Sequence, residues 1–143
     1  MMEKYPPFDL VMVIDDNPID RYLCSAVVKK SQWATSFLEF DMATKALEYL
    51  KEHADQPELI PQIIFLDINM PGMNGFQFLE EAAKLPIVIE RTCCIVMLTS
   101  SFNHEDRDRS ANNPIVKDFL NKPLNQAKLH EVELVFKKQF SIN

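Results

Sequence analysis

The chain has 143 residues, with 15 Lys and Arg against 21 Asp and Glu, for a formal net charge of −6. At that length one domain with a sizeable core is expected, and a composition of 47% hydrophobic and 25% charged residues excludes disordered and collagen-like chains. The longest apolar run, Cys93 to Leu98, is six residues, far short of the ~20 a membrane helix needs, and the acidic balance argues against binding nucleic acid or an anionic membrane surface.

In the first ten residues, MMEKYPPFDL, acids and two prolines interrupt any apolar core, so no secretory leader is expected. Leu10 to Ile14 (LVMVI) is short, apolar and partly β-branched, and it ends abruptly in Asp15-Asp16-Asn17-Pro18. Such a run predicts a strand buried on both faces. Asn17 followed by Pro18 predicts a helix cap with proline at the first helical position. Ile19, Tyr22, Leu23, Ala26 and Val27 then recur at helical spacing, and they are expected to form that helix's apolar face.

Ser36 to Phe40 predicts a second strand, and Asp41 is expected to cap a helix whose Ala43, Ala46, Leu47 and Leu50 share a face. Ala54 to Pro61 reads as a polar loop. Gln62 to Asp67 (QIIFLD) is another buried strand, followed by the turn-rich NMPGMNG. A helix from about Gly75 to Lys84 is expected to face Phe76, Leu79 and Ala83 inward. Leu85 to Ile89 fits either a helical extension or a strand. Gly72 and Gly75 are the only glycines in the chain, which excludes a dinucleotide-binding glycine turn and a Walker-type phosphate loop, because both need several.

Cys93 to Thr99 predicts a fourth strand, His104 to Asn112 a short acidic-fronted helix, Val116 to Leu120 a fifth strand, and Gln126 to Phe140 a closing helix. Three cysteines, two of them adjacent, fit no disulfide framework and point to a reducing cytosol. His53, His104 and His130 lie on polar faces or helix ends without metal-ligand spacing. Five strands alternating with five helices make a parallel sheet covered on both faces.

In such sheets ligands bind beyond the carboxyl ends of the strands. The first strand ends in Asp15-Asp16, the third in Asp67 and the fourth in Thr99-Ser100, and the fifth leads into Lys122-Pro123. Taken singly, each residue has a plain structural role as a cap, a turn former or a solvated loop residue. Their arrival at the matching ends of four strands asks for one common cause. Clustered carboxylates demand a cation, and hard oxygen donors that leave room for water suit Mg²⁺. A carboxylate can also be a nucleophile toward phosphorus, with lysine and threonine holding the phosphoryl oxygens.

The blocks VMVIDDNPID, IIFLDINMPGMNGFQFL, IVMLTSS and DFLNKPL resemble, in order, the four signatures of the receiver domain of two-component response regulators. The separations match the family as well: 51 residues from Asp16 to Asp67, 32 from Asp67 to Thr99 and 23 from Thr99 to Lys122. The resemblance implies a single domain over residues 1–143, with its core at about 10–140. It implies a five-stranded, doubly wound α/β sheet in the flavodoxin-like order 2-1-3-4-5.

The same resemblance implies that Asp67 is the phosphoacceptor, that Asp16 binds Mg²⁺ directly and Asp15 through water, and that Asn69 offers its backbone carbonyl to the metal. Thr99 and Lys122 would contact the phosphoryl group, Pro123 would follow a cis peptide, and Phe119 would occupy an aromatic switch position where many relatives have Tyr. Ser100 stands where a smaller alanine is common, and ANNPIVKDF lacks a glycine that many relatives have. The implied donor is a sensor histidine kinase or a histidine phosphotransfer protein. The implied output is a protein contact through the fourth predicted helix, the fifth strand and the closing helix, or onward transfer of phosphate, since no output domain follows. Such a domain acts on itself and not on a separate substrate. A small-molecule phosphatase would carry an acid two residues after its nucleophile, where this chain has Asn69, and a degenerate receiver would lack some of the acceptor, acid, Thr and Lys positions.

Overall fold

The computed structural model describes residues 6–91, 94–100 and 103–140. Five strands, β1 (Phe8–Ile14), β2 (Ala34–Phe40), β3 (Ile63–Asp67), β4 (Cys94–Thr99) and β5 (Val116–Asn121), form one sheet in the order β2-β1-β3-β4-β5 with every pair parallel. The helices are α1 (Pro18–Lys30), α2 (Ala43–Glu52), α3 (Gly75–Ala82), α4 (Pro86–Arg91), α5 (His104–Ala111) and α6 (Gln126–Phe140). The strand order is the expected one. It reverses direction between β1 and β3, which opens the crevice where strand ends meet.

β1, β3 and β4 read as continuous apolar runs because alternate side chains enter two separate cores. Met12, Ile14, Ile64, Leu66, Ile95 and Met97 pack under α2, α3 and α4. Val11, Val13, Ile63, Phe65, Val96 and Leu98 pack under α1 and α6. Trp33 anchors the second core. It is 2% exposed, meets Phe8 edge-on at 4.6 Å and donates its indole N–H to Glu133 on α6 at 3.3 Å.

Several expectations are corrected. The described residues form six α-helices and not five, because Pro86 restarts a helical turn after α3 ends. Residues 85–89 are thus neither a strand nor a simple extension of α3, and Val88 is their buried anchor. The inward face of α1 is Cys24, Ser25 and Val28, while Ile19, Tyr22 and Leu23 are 68%, 70% and 44% exposed. Apolar spacing identified the helix but not the side the sheet covers. Asp41 does not cap α2. Met42 holds the cap position without a side-chain bond, and Asp41 pairs with Lys45 at 3.0 Å instead. Ala83 is exposed, and Phe78 and Ala82 are buried in its place. The loop before β3 contains a 3₁₀ turn, Pro57–Leu59. Cys93 lies outside the described residues, and Cys24 and Cys94 are buried.

Candidate functional site

Asp15 and Asp16 follow directly on β1, Asp67 is the last residue of β3, Thr99 is the last of β4, and Lys122 is the first residue after β5. The parallel registry brings these ends together: Asp67 pairs with Leu98, one residue before Thr99, and Thr99 pairs with Asn121, one residue before Lys122. The turn after β1 is tied down locally. Asn17 caps α1 by accepting from the N–H groups of Ile19 and Asp20, and its own N–H donates to Asp15 Oδ1 at 2.9 Å. Arg21 Nη1 donates to the Asp15 carbonyl at 2.8 Å.

Both glycines follow closely on Asp67, Gly72 in the loop and Gly75 at the start of α3. Gly72 has φ +76°, a left-handed turn that a side chain would strain. Gly75 opens α3 so close to the strand end that a Cβ there would stand 2.6 Å from the Asp67 carbonyl oxygen. Asn74 and Gln77 form a reciprocal capping box at the same point. The helix start is therefore packed directly against the backbone of Asp67.

Carboxylate oxygens of Asp15, Asp16 and Asp67 all lie within 4.8 Å of one another. Asp15 and Asp67 are buried and Asp16 is exposed. Lys122 Nζ sits 2.7 Å from Asp15 Oδ2, 2.8 Å from Asp20 Oδ2 and 3.4 Å from Asp67 Oδ1. Burial, then the Asp15 charge, pushes the Asp67 carboxyl up to about 6 against the pull of Lys122. Burial lowers the Lys122 ammonium, but its bonds to Asp15 and Asp20 outweigh that and leave it raised. One lysine cannot neutralise three clustered acids. The donor set is all oxygen, two of its members are buried like charges, and one side is open. It fits a hard divalent cation such as Mg²⁺.

Thr99 is buried at the strand end, and its carbonyl accepts the Lys122 N–H at 2.7 Å. The Lys122–Pro123 peptide is cis. Asn69 lies exposed in the loop two residues past Asp67, and Ser100 is exposed beside Thr99. Phe119 is not in the pocket. It is half-buried against the core under α2 and α3, and with Arg107, Ser110, Val116, Lys117 and Asp118 it lines a cleft of about 340 Å³ between α5 and β5.

Two contributors escaped the sequence reading. Asp20 is the third residue of α1, where an acid favours the helix N-terminus, and that position points back at the strand end. Lys128 on α6 donates to the carbonyls of Asn121 at 2.6 Å and Pro123 at 3.0 Å, clamping the loop that bears Lys122. No local signal marked Lys128, because its partners are backbone atoms.

Residues 11–133 match the family model of the response regulator receiver domain. The chain is 33% identical over 116 residues to a two-component response regulator of Oryza sativa, covering 80% of this chain and 49% of that protein. It spans about a quarter to a half of the length of the curated relatives first matched. Among solved structures it resembles a response regulator receiver protein of Dyadobacter fermentans, with 30% identity and a TM-score of 0.77 over 92% of this chain and 97% of that one. The receiver domain of an Arabidopsis thaliana histidine kinase, described as complexed with Mg²⁺ and BeF₃⁻, shares the fold at a TM-score of 0.74 with 24% identity, over 91% and 90% of the two chains.

Proposed function

The chain belongs to the response regulator receiver domain family of two-component signalling, and from that premise we propose that Asp67 accepts a phosphoryl group from a sensor histidine kinase or a histidine phosphotransfer protein. One observation carries the reading: Asp15, Asp16 and Asp67 converge within 4.8 Å, with the Lys122 ammonium 3.4 Å from Asp67 Oδ1. An Asp67 carboxylate oxygen forms the bond to phosphorus, the donor's P–N bond breaks, and the departing imidazole nitrogen keeps the electron pair and takes up a proton. Asp15, Asp16, Asp67 and the Asn69 backbone carbonyl would hold Mg²⁺, which when bound supplies positive charge to the phosphoryl oxygens. Lys122 pairs with those oxygens and the Thr99 hydroxyl donates to one of them.

The donor must bring its histidine to a pocket rimmed by α1. The exposed Ile19, Tyr22 and Leu23 on that helix offer an apolar surface for such a protein contact. Output runs through α5, β5 and α6, the predicted fourth helix, fifth strand and closing helix, where Phe119 lines the cleft. The domain thus works as a signalling switch that acts on itself, with a protein partner and no nucleic acid. No helix among the described residues is long and apolar enough to cross a membrane.

Incubation with acetyl phosphate and Mg²⁺ should add the mass of one phosphoryl group to the intact chain. Asp67→Asn should keep the fold and gain no mass, and omission of Mg²⁺ should nearly stop the reaction. Labelling of Asp67→Asn at the wild-type rate would show that another carboxylate is the acceptor.

A further inference from the structure

Lys122 makes its two short contacts with Asp15 and Asp20, at 2.7 and 2.8 Å, and stands farther, at 3.4 Å, from the carboxylate it is to serve. Asp15 belongs to the acid cluster, but Asp20 does not. It projects from the first turn of α1 and hydrogen-bonds to the ammonium across 102 residues of sequence. The pair lies over a crevice floored by Leu23, Cys24, Leu98 and Leu124, and the Lys122 side chain is only 10% exposed. An ion pair on such an apolar floor is screened less than one in open solvent.

We propose that Asp20 is a positioning residue that parks the Lys122 ammonium beside the phosphoacceptor, so that the lysine must exchange an Asp20 oxygen for a phosphoryl oxygen when Asp67 is modified. The inference rests on the phosphoacceptor reading above. Asp20 competes with the phosphoryl group for one cation, and it also adds a negative charge beside an incoming anion. Both effects oppose the modified state. Removing the Asp20 charge should therefore favour that state, without removing any group that holds the metal.

The test is titration of the full chain with beryllofluoride, as the phosphoryl mimic, at saturating Mg²⁺. Asp20→Asn should tighten binding about fivefold, the range of a partly exposed ion pair, and Asp20→Ala at least as much. Asp20→Glu, which restores the charge, should return to near the wild-type value. Affinity for Mg²⁺ alone should stay within about twofold across the series. Wild-type affinity for beryllofluoride in both Asp20→Asn and Asp20→Ala would overturn the inference, as would Asp20→Glu behaving like Asp20→Ala. If the wild-type chain neither binds beryllofluoride nor takes phosphate from acetyl phosphate, the phosphoacceptor reading itself falls, and this inference with it.

Discussion

Asp118 is a half-buried acid whose surroundings favour its neutral form. Its Oδ1 accepts the Phe119 N–H at 2.9 Å, while no donor among the described residues reaches the buried Oδ2. Glu131 of α6 is the neighbouring carboxyl. Burial first, and then the bond to Glu131, push the Asp118 carboxyl up to about 7. Two carboxylates can hydrogen-bond each other only through a shared proton. The folded value thus lies above the ordinary 3.8, so this group's stabilisation is fully present below about pH 4 and is lost as pH rises through 7. Asp118→Asn, whose amide can donate to Glu131 at any pH, should be more stable than wild type at pH 8 by about 1 kcal/mol after allowance for partial exposure. The gap should close toward pH 4, as read from urea unfolding across that range. Asp67 shifts in the same direction in both proteins, so the difference between them isolates Asp118. An equal gap at every pH would refute the shared proton.

At the scale of elements, the junction of β3 with α3 is the tightest constraint on the site. Ala favours a helix over Gly by up to ~1 kcal/mol in an interior position, so propensity alone predicts that Gly75→Ala stabilises. The position decides otherwise. A Cβ at 2.6 Å from the Asp67 carbonyl and 3.0 Å from the Ile68 Cα meets rigid backbone on both counts. Gly75→Ala should therefore destabilise by about 1–3 kcal/mol, the cost of overpacking, and slow acetyl phosphate labelling because the acceptor strand shifts. Urea unfolding and intact mass would check the two effects separately. Stability equal to or above wild type would mean that α3 can slide away without cost. α1 ends on a related constraint. Gln32 takes φ 51° where glycine is the usual residue, and Trp33 N–H closes the turn on the Val28 carbonyl at 3.1 Å. Burial of Trp33 holds the strained residue in place.

Across the whole molecule, the pocket and the α5–β5 cleft are linked by continuous packing. Thr99 and Phe119 lie on neighbouring paired strands, Phe119 opposite Met97. On the other route, Arg109 of α5 stacks over the Phe76 ring at 4.1 Å, one residue past Gly75. A phosphoryl group adds about −1.5 to −2 charge, and a coupling of ~1–3 kcal/mol is enough to reset a surface. Phosphorylation should draw Thr99 inward and let Phe119 fill the space behind it, with changed amide hydrogen exchange in α5, β5 and α6. Thr99→Ala should still be modified at Asp67 but lose the exchange changes at that face. Changes confined to the acid pocket in the wild type would make the domain a phosphate relay and not a switch.

The sequence by itself determined the alternation of elements and the strand ends. Both rest on short-range rules: LVMVI and QIIFLD are short, β-branched apolar runs bounded by turn formers, the pattern of strands covered on two faces, and Asn17-Pro18 carries the residues of a helix cap. The order of signature blocks then placed Asp15, Asp16, Asp67, Thr99 and Lys122 at one edge of the sheet. Only the tertiary structure decided which side of α1 is buried, because Ile19, Tyr22 and Leu23 fit a helical face as well as Cys24, Ser25 and Val28 do. Helical spacing cannot say where the sheet lies. The same holds for Asp20 and Lys128. Their partners are 102 residues away in one case and backbone carbonyls in the other, and contacts of that kind exist only once the chain has closed on itself.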